Sequence, residues 1–332
     1  MVTELKIRDI GEKGILERLQ RFCPSDIVGD DAAVMPTNPG QSLVVTTDVL
    51  VDGVHFSDRT TSPQDVGWRA AAANLSDLAA MGATPLAITV GLALPSDVAV
   101  DWVEKLYQGI NQCLQQYNTA IVGGDICRSS VTTVAITAFG QVPPQRVIRR
   151  NAAQIGDAIV ITGVHGASRA GLELLLHPEL GQNLSNSDRS YLITAHQRPQ
   201  PRLDVLPLLW EVVGESPRIA GMDSSDGLAD AVLQICQMSG VGAHIERQNI
   251  PIHNSLCDLS PEKVLDYILY GGEDFELVLC MPPNQAQEFV QKLGNGAAII
   301  GNITDTSRVI LSDRTNQNPD EVLNLNRGFQ HF

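Results

Sequence analysis

The sequence predicts two domains built from mixed α+β or α/β layers. Short β-branched runs alternate with alanine- or leucine-rich helical stretches through both halves, the pattern of helices packed on sheets. The chain has 332 residues and is 43% hydrophobic, enough for one or two cores of ordinary size. Pro143-Pro144 breaks the alternation near the middle. A boundary at about residue 145 follows, with domains at about 1–145 and 146–332.

In the first half, Gly14–Phe22 places Ile15, Leu16, Leu19 and Phe22 on one face of a short helix. After Pro24, Asp30 and Asp31 precede a small strand, Ala32–Met35. Leu43-Val44-Val45 reads as a buried strand that delivers Thr46, Thr47 and Asp48 at its end, with Asp52 and His55 in the turn beyond. Trp68–Met81 is alanine-rich and proline-free, hence helical, with Asp77 among Leu75, Leu78 and Met81. A carboxylate on so apolar a helix needs a positive partner, because burying an isolated charge is costly. Ala87–Leu94 is a strand ended by Pro95, and Val98–Tyr117 a helix with Trp102, Leu106, Ile110 and Leu114 at helical spacing. Thr119–Val122 is a strand stopping at Gly123-Gly124-Asp125, and Val131–Gln141 alternates as another.

The second half opens with a strand at Ala158–Thr162, then Gly163-Val164-His165-Gly166 and a helix at Ala167–Leu176. That glycine-flanked turn suits either an anion at a helix N-terminus or a plain turn. Asp188–His196 and Pro201–Val213 read as helices. Ile219–Met222 leads into Asp223-Ser224-Ser225-Asp226-Gly227 and a helix to Met238. A strand at Ala243–Glu246, a helix at Pro261–Ile268, the turn Tyr270-Gly271-Gly272-Glu273-Asp274 and a strand at Phe275–Met281 follow. Asn284–Leu293 is the last helix and Ala298–Ile303 the last strand.

A net charge of −15 argues against nucleic acid or an anionic membrane as partner. With five lysines and no Gly-Lys pair, a Walker P-loop is excluded. The six cysteines are scattered without a CxxC, which points to a reduced, cytoplasmic setting with buried thiols. The charged start, MVTELKIRDIGEK, lacks the apolar core of a signal peptide, and no apolar run approaches the ~18 residues of a membrane span.

Asp31, Asp48, Asp125 and Asp223 each stand where an apolar strand gives way to a glycine- or hydroxyl-rich turn, accompanied by Thr46, Thr47, Ser76, Ser224 and Ser225. Hard oxygen donors without sulfur select Mg²⁺, Mn²⁺ or Ca²⁺. An EF-hand does not fit, since the twelfth position from Asp223 is Gln234. Singly, each aspartate could cap a helix or close a turn. Gathered, they would repel by ~4 kcal/mol per pair at ~4 Å and an effective dielectric of ~20, so convergence requires divalent cations. Cations held in this way would let an acidic protein bind polyphosphate.

GDDAAV, TTDVLVDGVHF, NLSDLAAMGATP, VGGD, DSSDGL and GGEDFEL, in this order, resemble the thiamine-monophosphate kinase family. That family belongs to the ATP-binding superfamily of aminoimidazole ribonucleotide synthetase, selenophosphate synthetase and a hydrogenase-maturation protein. The resemblance spans Gly11 to Phe329. It implies a homodimer whose N-terminal mixed sheets pair into a barrel-like core, a C-terminal α/β domain, and an active site between the two domains. By motif, Asp31, Thr46, Thr47, Asp48, Asp77, Asp125, Asp223 and Asp226 would hold several Mg²⁺ ions. Tyr107, Gly124, Asp125, Arg150 and Ser225 would contact ATP, with Arg146 and Arg149 close to Arg150. His55, Glu273 and Phe329 would touch thiamine monophosphate.

The implied reaction needs no general base, since the acceptor is a phosphate whose second pKa is near ~6. Residue by residue, His55 also suits a turn cap and Glu273 a surface acid. Two alternatives stay open. One is another enzyme of the superfamily, of cyclo-ligase or selenophosphate type, although Cys23 lacks a neighbouring lysine and the chain ends Gln330-His331-Phe332 without a cysteine. The other is a non-catalytic metal-binding protein.

Overall fold

The computed structural model describes the chain except residues 1–4, 25–37, 215–216, 261, 295, 316, 325–326 and 328–332. It divides into two compact units, Met1–Leu78 with Ala83–Val142, and Ala79–Gly82 with Pro143–Phe332.

Unit 1 has strands β1 (Ser42–Val51), β2 (Thr84–Leu94), β3 (Ile121–Arg128) and β4 (Thr133–Val142), in the order β1-β4-β2-β3. β4 runs antiparallel to both β1 and β2, and β3 lies parallel to β2. The helices are α1 (Ile7–Leu19), kinked at the left-handed Gly11, α2 (Pro63–Ala80) and α3 (Val100–Gln115). Ile88, Val90, Leu92 and Leu94 of β2, with Val134, Ile136 and Ala138 of β4, are buried at every second position, as one covered sheet face requires. α2 and α3 touch backbone to backbone at two glycines. A Cβ on Gly67 would overlap the Leu106 carbonyl oxygen, and one on Gly109 the Gln64 carbonyl oxygen.

Two strands differ from their sequence reading. β1 is ten residues long and does not end before Thr46; it carries Asp48 in its interior. As an edge strand it is not buried: Leu43 is 56% exposed, Val45 53% and Val49 46%. β3 likewise continues through Gly123-Gly124 to Arg128, so Asp125 is mid-strand rather than in a turn. In both places a polar or glycine run imitates a strand end, while ladder hydrogen bonds to a long neighbour carry the backbone through.

Unit 2 contains β5 (Ala158–Ile161), α4 (Ala167–Leu176), α5 (Asn186–Gln197), α6 (Leu206–Val213), β6 (Ala220–Asp223), α7 (Leu228–Ser239) and β7 (Gly242–Glu246). These are followed by α8 (Asn254–Leu259), α9 (Val264–Tyr270), β8 (Leu277–Met281), α10 (Pro283–Leu293), β9 (Ala298–Thr304), β10 (Val309–Ser312) and β11 (Glu321–Val322). The sheet order is β11-β10-β7-β9-β5-β8-β6. Alternation along β5 sends Ile159 and Ile161 into one core with α4, α5, α7 and α9. Ala158 and Val160 enter a second core with Leu209 of α6 and Phe289 of α10. Helices therefore cover both faces. β10, β11 and α8 were not legible, being two to six residues long, too short to show a period.

All six cysteines are free, but only Cys113, Cys236 and Cys280 are buried; Cys127 and Cys257 are exposed. No helix among the described residues is long and apolar enough to cross a membrane.

Candidate active site

In unit 1 the polar residues of β1 divide by strand parity. The Thr46 hydroxyl donates to the Asp77 carboxylate of α2, so this face of β1 looks at α2. Asp48, two residues on, shares that face, and its backbone N–H donates to Asn74 Oδ1 of α2 at 3.2 Å. Asp77 thus finds a neutral hydroxyl as one partner, where the apolar helix led to the expectation of a positive group. Asn74 is fully buried and was missed by sequence reasoning, although an amide inside an alanine-rich helix is itself a signal.

The other face of β1 is open. There Thr47 lies 2.8 Å, hydroxyl to hydroxyl, from Thr137 of β4. Asp125 pairs with Gly91, Gly91 with Ala135 and Ala135 with Val49, so Asp125 belongs to this open face. Asp48 instead shares its row with Ile136, Val90 and Gly124. β1 and β3 are opposite edges of the sheet, about 14 Å apart at ~4.8 Å per strand. Within unit 1, therefore, Thr46, Asp48 and Asp77 come together, and Thr47 and Asp125 do not join them. A side chain on Gly124 would overlap the Val90 carbonyl oxygen, so the strand stays bare there.

His55 Nδ1 accepts from the Val51 backbone N–H at 3.0 Å, which caps the turn and leaves the proton of a neutral ring on Nε2. Tyr107 lies on α3. It is 5% exposed on the core face of α3, its ring tilted against Phe22 at 5.8 Å, and burial pushes its phenol upward. Its burial follows the amphipathic period of α3.

In unit 2, Asp223 ends β6 as its sequence suggests, and is 2% exposed. The Ser225 hydroxyl donates to Asp223 Oδ1 at 3.3 Å, and Asp226 is exposed in the turn before α7. Gly227, at φ 105°, sits against the Leu269 carbonyl, a place closed to any other residue. Arg150 is exposed and reaches Gln234 of α7 at 2.5 Å. Arg146 is stacked over Trp210 at 5.5 Å, so of these two neighbours Arg150 is the one set toward α7.

The Gly271–Phe275 turn is left-handed at Gly272 (φ 69°), Glu273 (φ 59°) and Phe275 (φ 53°). Each non-glycine residue in that region costs about 1–3 kcal/mol and persists only where its surroundings impose it. Here the Glu273 N–H donates to the Ser225 carbonyl at 2.7 Å. Asp274 accepts from the N–H groups of Gly166 at 2.6 Å and Ser168 at 2.9 Å, at the start of α4. The group that fills the Gly163–Gly166 helix start is therefore the protein's own Asp274 carboxyl. Burial pushes Asp274 up to about 7, against the two donors that favour its ionised form. His165 is fully buried, and burial pushes it down to about 4, so it is neutral. Asp274 was missed; its signal was adjacency to Glu273 in a glycine turn.

Asp31 and Phe329 lie outside the described residues, as do Asp30 and the strand expected at Ala32–Met35. Among the described residues, no three or more His, Cys, Asp or Glu side chains gather as a metal-holding group.

Residues 29–142 match the model of the AIR synthase related protein N-terminal domain, and 154–314 that of the C-terminal domain. A thiamine-monophosphate kinase from Synechococcus elongatus is 52% identical over 336 residues, covering 100% of this chain and 99% of its own. The chain belongs to the thiamine-monophosphate kinase family. Membership bears out the enzyme reading over the metal-binding scaffold. A thiamine-monophosphate kinase from Escherichia coli K12 is 36% identical, over 77% of this chain and 76% of its own. Among solved structures, a thiamine-monophosphate kinase from Stenotrophomonas maltophilia K279a superposes with a TM-score of 0.77 at 33% identity, covering 90% of this chain and 95% of its own. AaThiL complexed with AMPPCP and TMP does so at 0.73 and 30%, covering 96% and 99%. The two-domain α/β architecture is thus that of thiamine-monophosphate kinases.

Proposed function

We propose that this protein moves the γ-phosphoryl group of ATP onto the phosphate of thiamine monophosphate, giving thiamine diphosphate and ADP with Mg²⁺, a step of thiamine diphosphate biosynthesis. The observation that carries the reading is the near end-to-end match to a relative complexed with AMPPCP, an analogue of ATP, and TMP. The inner-face set of unit 1 supports it. Thr46, Asp48 and Asp77 offer two carboxylates and a hydroxyl, and Mg²⁺ takes only one or two carboxylates, filling its shell with water and phosphate oxygens. A tighter acidic cage is not required, so the residues fit the ion. By motif, Asp223 and Asp226, with Asp31, would add to this set, while Thr47 and Asp125, on the opposite face of the sheet, would hold an ion apart from it. Bound there, Mg²⁺ would neutralise and align the phosphate oxygens of both reactants.

The chain's own work is positioning. The acceptor phosphate is mostly dianionic at neutral pH, so no side chain has to take a proton from it. Arg150, held by Gln234, contributes a fixed cation toward ATP, and Gly124 would contact the nucleotide by motif. Ser225, whose hydroxyl donates to Asp223, would contact ATP by motif. By motif, His55, whose neutral ring carries its proton on Nε2, would donate toward the substrate phosphate, and the Glu273 carboxylate would face the cationic thiazolium or the aminopyrimidine. A homodimer accounts for the open face of β1, since an exposed edge strand bearing Leu43, Val45 and Val49 is an unfinished surface.

Incubation with Mg-ATP and thiamine monophosphate tests the reading: thiamine diphosphate and ADP should accumulate in equal amounts. Tight ATP binding without that product would point to another activity of the superfamily and overturn it.

A further inference from the structure

We infer that His196 is a positioning residue for Glu273, holding this carboxylate where it meets the substrate. The inference rests on the proposed role of Glu273. His196 is 2% exposed near the C-terminus of α5, on the inner face it shares with Leu192. Its Nδ1 lies 3.7 Å from Glu273 Oε2 and 3.3 Å from the Ser168 hydroxyl. Ser168 in turn gives its backbone N–H to Asp274, the residue after Glu273. The Glu273 side chain, 35% exposed, therefore stands on a turn pinned from below at Asp274 and from the side at the Ser225 carbonyl, with the imidazole behind it.

A histidine kept only to fill the core would need no polar atom directed at this carboxylate. At 3.7 Å the contact is longer than a hydrogen bond, and it is an ion pair only when the imidazole carries its second proton. It orients the half-exposed carboxylate without drawing it out of reach of a ligand. Ser168 lies within reach of the same nitrogen, which ties ring and carboxylate to the start of α4. The effect belongs on binding of thiamine monophosphate rather than on the chemical step, because Glu273 touches the part of the substrate remote from the transferring phosphoryl group.

The experiment is a double-mutant cycle with His196→Phe, Glu273→Gln and the pair, reading KM for thiamine monophosphate, KM for ATP and kcat, beside thermal melts. His196→Phe should raise KM for thiamine monophosphate about tenfold, with kcat and KM for ATP within about twofold, and the double variant should be no worse than Glu273→Gln alone. His196→Asn should recover most of the loss, and Ser168→Ala, which keeps the backbone N–H to Asp274, should show a smaller rise. These two variants decide the matter if His196→Phe fails to fold. Multiplicative effects in the cycle, or equal changes in both KM values, would make His196 structural and overturn the inference. An unchanged KM in Glu273→Gln would instead remove the role of Glu273, and the inference with it, while leaving product formation intact.

Discussion

Asp77 is held on α2 by the Thr46 hydroxyl, and Asp48 stands beside it on the face of β1 that meets the same helix. Replacing either carboxylate by the isosteric amide removes charge without volume. Asp48→Asn and Asp77→Asn should each lower turnover at least about a hundredfold, a size typical of lost electrostatic stabilisation. Circular dichroism and sedimentation should match the parent, and near-normal turnover in both variants would remove the metal assignment. Gly124→Ala tests a different atom. Its Cβ would overlap the Val90 carbonyl oxygen, so β3 must shift at the cost of about 1–3 kcal/mol, visible as a lower urea midpoint, together with weaker ATP binding. At this scale the sequence was informative about residue types and less so about directions. It named Asp48 and Asp125 together, whereas strand parity sends them to opposite faces. Parity depends on register, and register is written in the partner strands.

Among the elements, β1 and β3 show why their ends were misplaced. Aspartate and glycine are depleted in strands, so TTD and GGD read as stops. Here β1 spans ten residues opposite β4, and β3 eight, seven of them paired with β2. α2, with its apolar spacing uninterrupted, was read almost whole, beginning five residues before the expected Trp68. The Gly271–Phe275 turn was seen as a turn, but its left-handed backbone and its pin to α4 depend on Asp274 meeting Gly166 and Ser168 across more than a hundred residues. That pin has a pH signature. Asp274 is pushed from the ordinary carboxylate range up to about 7. Between about pH 4 and about 7 the folded chain keeps a proton that the unfolded chain has lost, so this group's contribution to stability falls as pH rises. Above about 7 both states are ionised and the fall is complete. Asp274→Asn should flatten urea-denaturation stability across that window by up to about 1.4 kcal/mol per pH unit, the linkage of one proton. Glu276, also raised by burial, keeps the same sign of slope in the variant, so flattening is partial. A slope identical to the parent's would contradict the assignment.

For the whole molecule, the decisive property is charge. At −15 the chain repels ATP and thiamine monophosphate at long range, and the reading holds only if cations carried by its aspartates reverse that locally. The two-domain α/β architecture was legible from the alternation of periods, and the family from six motifs in order. The open face of β1 was not, because an apolar run reads as buried whether its cover is the same chain or a second copy. Val45→Glu should shift a dimer toward monomer in sedimentation velocity without loss of helix content, and an unchanged association state would place the interface elsewhere. The most direct measurement of the central claim follows the transferred group itself. With [γ-³²P]ATP, Mg²⁺ and thiamine monophosphate, label should appear in the terminal phosphate of thiamine diphosphate, one for each ADP, and stop on chelation by EDTA. Label released as inorganic phosphate, or transfer that continues in EDTA, would contradict it.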